Sequence, residues 1–371
     1  MPAKSKLLAL LVCILLSSQF THAAKLPEDL YALGYFHHSA DGMDRFGPFL
    51  QIRKQWLGKF ALGASYQVET VEGSASDQPL LSNTASDQVE TFALNGVLLR
   101  EHGLLELSFQ QNEALIYSSN DVTAELTQQF LAGLQSLHLG FGISKDEPNP
   151  SVYGLNDSID HYSSHIGWQQ IWSRDKKIYL DYQLITEKGP LGDPYAIAVI
   201  NSTAVVAKYP ERRTSHSMTI RYQQYLAKNS SASLQYQYYK DSWKLSSQLV
   251  SAHYQRSLGS HWQFQTHARF YIQDEASFYA NNVITNNVIT NSTTEDQQYL
   301  VRDKELSEFY NTELGFKLRR KLAFLQDFLV EEAFLNFGYQ ANFYEFDNYE
   351  INEKAYRYQS DLVQIYLTAK L

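Results

Sequence analysis

From about residue 25 to the carboxyl terminus the chain alternates apolar and polar residues again and again, and no apolar run there is long enough to cross a bilayer as a helix. No motif constrains the fold as much. Successive side chains of a strand point to opposite faces, so each such segment carries one apolar and one polar face. Met218, Ile220, Tyr222 and Leu226 share a face, with Ser217, Thr219, Arg221 and Gln223 on the other. Trp262, Phe264, Ala268, Phe270 and Ile272 likewise oppose Gln263, Gln265, His267, Arg269 and Gln273. A soluble sandwich alternates too, so the pattern alone does not choose between the two.

The connections choose. About sixteen segments, from Leu30–Ser39 to Tyr356–Leu371, read as strands. Counted from a periplasmic start, the even-to-odd links are nearly all short, as at Leu57-Gly58-Lys59, Ala132-Gly133-Leu134 and Leu258-Gly259-Ser260. The odd-to-even links hold the long insertions: Glu72–Asp87, Lys145–His161, Lys188–Thr214, Asp274–Glu305 and Asp347–Ala355. Short turns on one side and long loops on the other mark outer-membrane barrels. In hydrocarbon, only a helix or a closed sheet pairs every backbone group. The expected fold is therefore all-β, a transmembrane antiparallel up-and-down barrel. Trp56, Trp172 and Trp262 at periplasmic strand ends, with Trp243 at an outer end, fit aromatic girdles. Two further readings are local. The turn Arg320–Val330, long for its side, is expected to hold a short amphipathic helix. In the longest outer loop, Asn281–Thr285 is repeated as Asn286–Thr290, a duplication that a loop tolerates and a strand does not.

The first two dozen residues read as an export leader. Lys4 and Lys6 precede an apolar run from Leu7 to Leu16, and Thr21-His22-Ala23-Ala24 offers a cleavage site. The expected division is residues 1–24 as a cleaved signal peptide and 25–371 as one barrel domain, placed in the outer membrane of a Gram-negative cell. Cys13, the only cysteine, leaves with the leader, which removes disulfides, thiol catalysis and thiolate metal sites. Net charge falls from −9 to −11 when Lys4 and Lys6 go, and such acidity argues against a nucleic-acid partner.

Four stretches carry a resemblance: Leu191-Gly192-Asp193-Pro194-Tyr195, Glu211-Arg212-Arg213, the run from Tyr236 through Tyr238, Tyr239 and Asp241 to Trp243, and Phe278-Tyr279. In that order they resemble the family catalogued as domain of unknown function 3570. The resemblance implies an outer-membrane barrel and no particular activity, and it makes Asp193, Pro194, Tyr195, Glu211, Arg212, Arg213, Tyr238, Asp241 and Trp243 family-motif positions. The chain departs from the pattern after Tyr195, where Ala196–Tyr209 is an apolar insertion.

Catalysis and metal binding find little support. On one strand His161 and His165 would stand roughly 13 Å apart, too far for one ion. His37 and His38 point to opposite faces. Although Ser, His and acids abound, no local motif singles out a nucleophile with its base; Ser215-His216-Ser217 is a strand start where neighbours face opposite ways. No enzyme, cofactor or metal is expected. Arg53, Asp181, Arg221, His267, Arg269, Glu313, Lys317 and Glu332 fall on polar strand faces and are candidate lumen-lining residues. There they would either set selectivity or pair across a filled interior. The favoured reading is a porin-like channel, or one component of an envelope transport route, for small polar solutes. The alternative is a non-conducting barrel that is structural, adhesive or holds a partner, with an embedded lipid hydrolase ranked third. Expected partners are outer-membrane lipid and lipopolysaccharide, and the barrel-assembly machinery during biogenesis, with a periplasmic partner left open.

Overall fold

The computed structural model describes residues 24–73, 87–115, 117–149, 157–192, 197–200, 203–227, 229–281, 299–325, 330–351 and 353–370. The strands in chain order are β1 (Leu30–Ala40), β2 (Met43–Trp56), β3 (Phe60–Gly73), β4 (Asp87–Arg100), β5 (Gly103–Glu113) and β6 (Tyr117–Phe130). There follow β7 (Gln135–Pro148), β8 (Ile159–Ser173), β9 (Lys176–Lys188), β10 (Ile197–Ile200), β11 (Thr203–Val206) and β12 (Arg212–Ala227). The last six are β13 (Ser230–Asp241), β14 (Ser246–Leu258), β15 (Trp262–Gln273), β16 (Phe309–Lys321), β17 (Glu332–Ile351) and β18 (Lys354–Lys370).

All but β10 and β11 form one closed antiparallel barrel in which neighbours in the chain are neighbours in the sheet. β9 pairs with β12, and β18 returns to β1 with Leu33 opposite Leu367. Closure leaves no sheet edge, which is what a membrane demands of backbone N–H and C=O groups. β10 and β11 pair only with each other, as a small hairpin inside the apolar insertion.

Register carries one parity of residues round the outside. Leu33 lies opposite Leu50, Leu50 opposite Tyr66, and Tyr66 opposite Phe92. On the far side Phe337 lies opposite Ile365. This set is exposed and apolar, with Leu33 58%, Leu62 51% and Ile365 50% accessible, and it is the lipid belt. Trp56, Trp172 and Trp262 stand exposed at the periplasmic strand ends. The opposite parity faces the lumen and is polar along most of each strand.

The structure corrects three expectations. Trp243 is not a girdle residue. It lies in the turn between β13 and β14, 5% exposed, under packed outer-loop residues. Asp347–Ala355 is not a long loop either: β17 runs on to Ile351 and β18 starts at Lys354, with a register shift between Glu345 and Glu350 that absorbs the extra residues. Where an amphipathic helix was expected, the periplasmic link after β16 holds a single 3-10 turn, Ala323–Leu325, among the described residues. The leader, Asp193-Pro194-Tyr195 and nearly all of the repeated Asn-Asn-Val-Ile-Thr segment lie outside the described residues.

Candidate functional site: the lumen and its two mouths

All eight lumen candidates stand on the inward parity. Alternation on the membrane-facing strands puts them there, since each neighbours outward residues such as Ile52, Leu180, Ile220, Ala268 and Leu314. Four of them are engaged with neighbouring groups. Glu313 on β16, 8% exposed, accepts from Arg269 Nη1 at 3.2 Å and meets His267 Nε2 at 2.9 Å. His267 also stacks on His253, ring centroids 5.6 Å apart. At the periplasmic end of the wall Lys321 Nζ reaches Glu332 at 2.7 Å.

The remaining four differ. Arg221 donates through Nε to the Gln235 amide oxygen at 2.8 Å and lies 5.8 Å from the Tyr179 ring. Lys317 Nζ stands 5.0 Å over the Tyr366 ring. Neither has an ion-pair partner among the described residues, and the same is true of Asp181. Arg53 donates to the backbone oxygen of Glu28 at 2.8 Å.

Glycine lets the histidines lie flat against the wall. A Cβ built on Gly315 would stand 2.2 Å from the His267 ring, and one on Gly140 2.0 Å from the His165 ring. Beside the β14–β16 part of the wall lies a cavity of about 350 Å³ whose lining includes His253, His267, Lys317, Gln265, Gln340 and Gln364. Elsewhere His161 bridges Asp146 (3.0 Å) and Glu187 (3.1 Å) on the neighbouring strands, so its ring is held by two carboxylates.

The outer mouth is roofed on its β13–β18 side. Trp243, Leu245, Ala276, Phe278, Tyr279, Val301, Leu306, Phe346 and Tyr349 form one buried apolar cluster. Its base is made of lumen-facing aromatics at the outer strand ends, Tyr239, Phe309, Tyr344 and Tyr358, and its cover of residues from the links after β9 and β15. The family-motif residues build the hinge of this roof. Asp241 accepts from the backbone N–H groups of Trp243 (2.9 Å) and Leu245 (3.0 Å), a side-chain-closed turn. The same carboxylate takes Arg213 at 2.7 Å and the Tyr239 hydroxyl at 3.1 Å. Arg213 stands 4.5 Å over the Trp243 ring, and Trp243 Nε1 donates to the Arg212 carbonyl at 2.9 Å. Glu211 contributes its backbone oxygen to Gly189. Tyr238 belongs to the lipid belt instead, on the opposite face of β13.

Two cations fasten the roof across the mouth. Lys304 Nζ reaches Asp41, on the β1–β2 turn, at 2.5 Å with both side chains buried, and Tyr356 donates to the same carboxylate. Arg302 donates to Asn281 and to the Glu350 carbonyl and lies 4.7 Å over Tyr349. Burial pushes the Tyr279 phenol up and raises the Glu275 carboxyl above its ordinary value.

At the periplasmic mouth the segment before β1 folds inward. Leu26, 8% exposed, packs on Ala61 and Val97 from the lumen faces of β3 and β4, with Leu99 and Leu104 beside them. Asp29 accepts from Gln55 N at 2.7 Å and pairs with Lys54 at 2.6 Å, while Gln55 Nε2 donates to the Pro27 oxygen. Neither cover was legible in the sequence. The one usable signal was Asp241-Ser242-Trp243-Lys244, where an acid opening a four-residue turn announces a side-chain cap.

These features define the class: an outer-membrane-type β-barrel, with a polar lumen and partial covers made by its own chain. The chain belongs to the family described as protein of unknown function DUF3570, whose profile matches residues 59–359. Comparison with curated proteins yields no match. Among solved structures, a bacterial polysaccharide outer membrane secretin is similar at 8% identity and a TM-score of 0.52, covering 93% of this chain and 98% of that one. The siderophore receptor PirA from Pseudomonas aeruginosa (7% identity, 94% and 81% covered, TM-score 0.45) and the monoaromatic hydrocarbon channel CymD (9%, 93% and 89%, TM-score 0.44) also resemble it. At such identities the likeness is one of fold.

Proposed function

We propose that the protein is a passive channel for small polar solutes, or one component of an envelope transport route, set in the outer membrane after export by a cleaved leader. One observation carries this reading: Arg221, Lys317 and Asp181 face the lumen with no ion-pair partner among the described residues, and Lys317 lines a polar cavity of about 350 Å³. A sealed scaffold gains nothing from unneutralised charge inside it, whereas a conducting bore uses such charge to select. Outer-membrane lipid and lipopolysaccharide are then its surroundings and the barrel-assembly machinery its route of insertion. No catalytic role is proposed.

The test is conductance of the purified, heat-modifiable protein in a planar bilayer. Discrete openings are expected, and removing charge at Arg221 and Arg269 should move the reversal potential toward cation preference. A folded sample that stays silent at every voltage points to the second reading, a non-conducting barrel. What favours that reading is the pair of covers, Leu26 at one mouth and the aromatic roof at the other.

A further inference from the structure

The charges of the lumen are not mixed evenly round its wall. From β3 to β9 the inward parity carries Glu106, Glu125 (3.6 Å from His138 Nδ1) and Asp181 among other acids, and its only Lys or Arg among the described residues is Lys177, at the periplasmic end. From β12 to β18 the inward parity carries Arg221, which adjoins Asp181 on the neighbouring β9, and then Arg269 and Lys317. The acid at mid-height on that side, Glu313, is already held by Arg269 and His267. In the closed order β5 and β6 stand halfway round the ring from β15 and β16. Glu106 and Lys317 each lie a few residues in from the periplasmic end of their strands, and Glu125 and Arg269 lie further toward the middle. An acidic wall therefore faces a basic wall across the bore.

We propose that this transverse polarity selects zwitterionic solutes, small molecules bearing one ammonium and one carboxylate group, and passes them side-on. The inference rests on the channel reading and adds the substrate class. In a narrow aqueous bore with low-dielectric walls, facing charges of opposite sign concentrate the field between them. A zwitterion turned across that field is attracted at both ends, its ammonium toward Glu106 and Glu125 and its carboxylate toward Lys317. A monoanion or monocation is drawn by one wall and repelled by the other, and a neutral polyol feels neither. The cavity against the basic wall, with Lys317, His253 and His267 among amides, gives the carboxylate end room and donors.

Swelling of proteoliposomes in isotonic solute tests this with γ-aminobutyrate, erythritol and N-acetylglycine as zwitterion, neutral polyol and monoanion. The zwitterion should enter about fivefold faster than the polyol at low salt, and that ratio should shrink as salt shortens the screening length. Neutralising either wall, with Glu106→Gln and Glu125→Gln or with Lys317→Gln, should bring the ratio of zwitterion to erythritol entry close to one. The salt series on the unaltered protein keeps the test decisive should a variant fail to fold. Entry of erythritol with a ratio insensitive to both salt and the variants overturns the proposal and leaves the channel reading standing. No entry of any solute overturns the channel reading itself, and the proposal with it.

Discussion

At the scale of the residue, Asp241 does the most organising. One carboxylate closes the β13–β14 turn through two backbone N–H groups and holds Arg213 and Tyr239, and the turn presents Trp243 to Phe278 at 5.2 Å between ring centroids. Replacing Trp243 by Ala removes the largest ring of the roof, and an aromatic truncation in a packed core typically costs about 3–5 kcal/mol. The expected outcome is faster protease cleavage of the outer links with the barrel still heat-modifiable; unchanged cleavage rates would refute the roof as packed. Gly315→Val tests the lumen wall in the same way. The added Cβ meets the His267 ring, so the His267–Glu313 contact should break and the chemical shifts of a labelled His267 should change.

At the scale of the element, the segment before β1 acts as an inward latch. Its Asp29 carboxyl is held below the usual carboxylate range, chiefly by the hydrogen bond from Lys54. A carboxylate depressed in the folded state stabilises above its unfolded pKa, and that contribution disappears as pH falls through the folded value. The latch should therefore hold at neutral pH and release only in strong acid. Single-channel conductance is expected to rise below the ordinary carboxylate range, and Asp29→Asn should show the raised level already at neutral pH. Leu26→Glu, which puts a charge against Ala61 and Val97, should do the same independently of pH. A conductance indifferent to both changes would mean that the segment does not obstruct the bore.

The strands themselves were legible because alternation and membrane crossing are local demands. β12 and β15 can be read off Met218–Gln223 and Trp262–Gln273 residue by residue, and the parity of long and short links oriented the barrel. The link 347–355 was misread because its Asp, Asn and Glu residues look like a loop, while β17 and β18 continue past the membrane as a polar hairpin with a bulge. Polar composition does not distinguish a solvated ribbon from an irregular loop. Trp243 was misread for a related reason. A tryptophan near a strand end suits a lipid girdle or a loop cluster equally well, and only the path of the link after β15 decides which it meets.

At the scale of the whole molecule, the barrel is a closed sheet whose mouths are partly covered by its own chain and whose lumen keeps charges in reserve. If Lys304 pins the roof to Asp41 across the mouth, Lys304→Ala should raise the open probability in a bilayer without changing ion selectivity, since the proposed channel selects deeper, at Arg221 and Lys317. Unchanged gating in Lys304→Ala would show that the apolar cluster holds the roof unaided.

What this chain settles through its sequence alone is the sheet: which faces meet lipid, which meet water, and on which side the long links emerge. Those follow from a two-residue period and from the requirement that every backbone group find a partner in hydrocarbon. What only the tertiary structure decided is the content of the bore: the Lys304–Asp41 pin, the Trp243–Phe278 roof, Leu26 against Ala61, and an acidic arc facing a basic one. Each joins residues far apart in the chain, and their meeting depends on ring closure and on the path of the links, which no local period encodes.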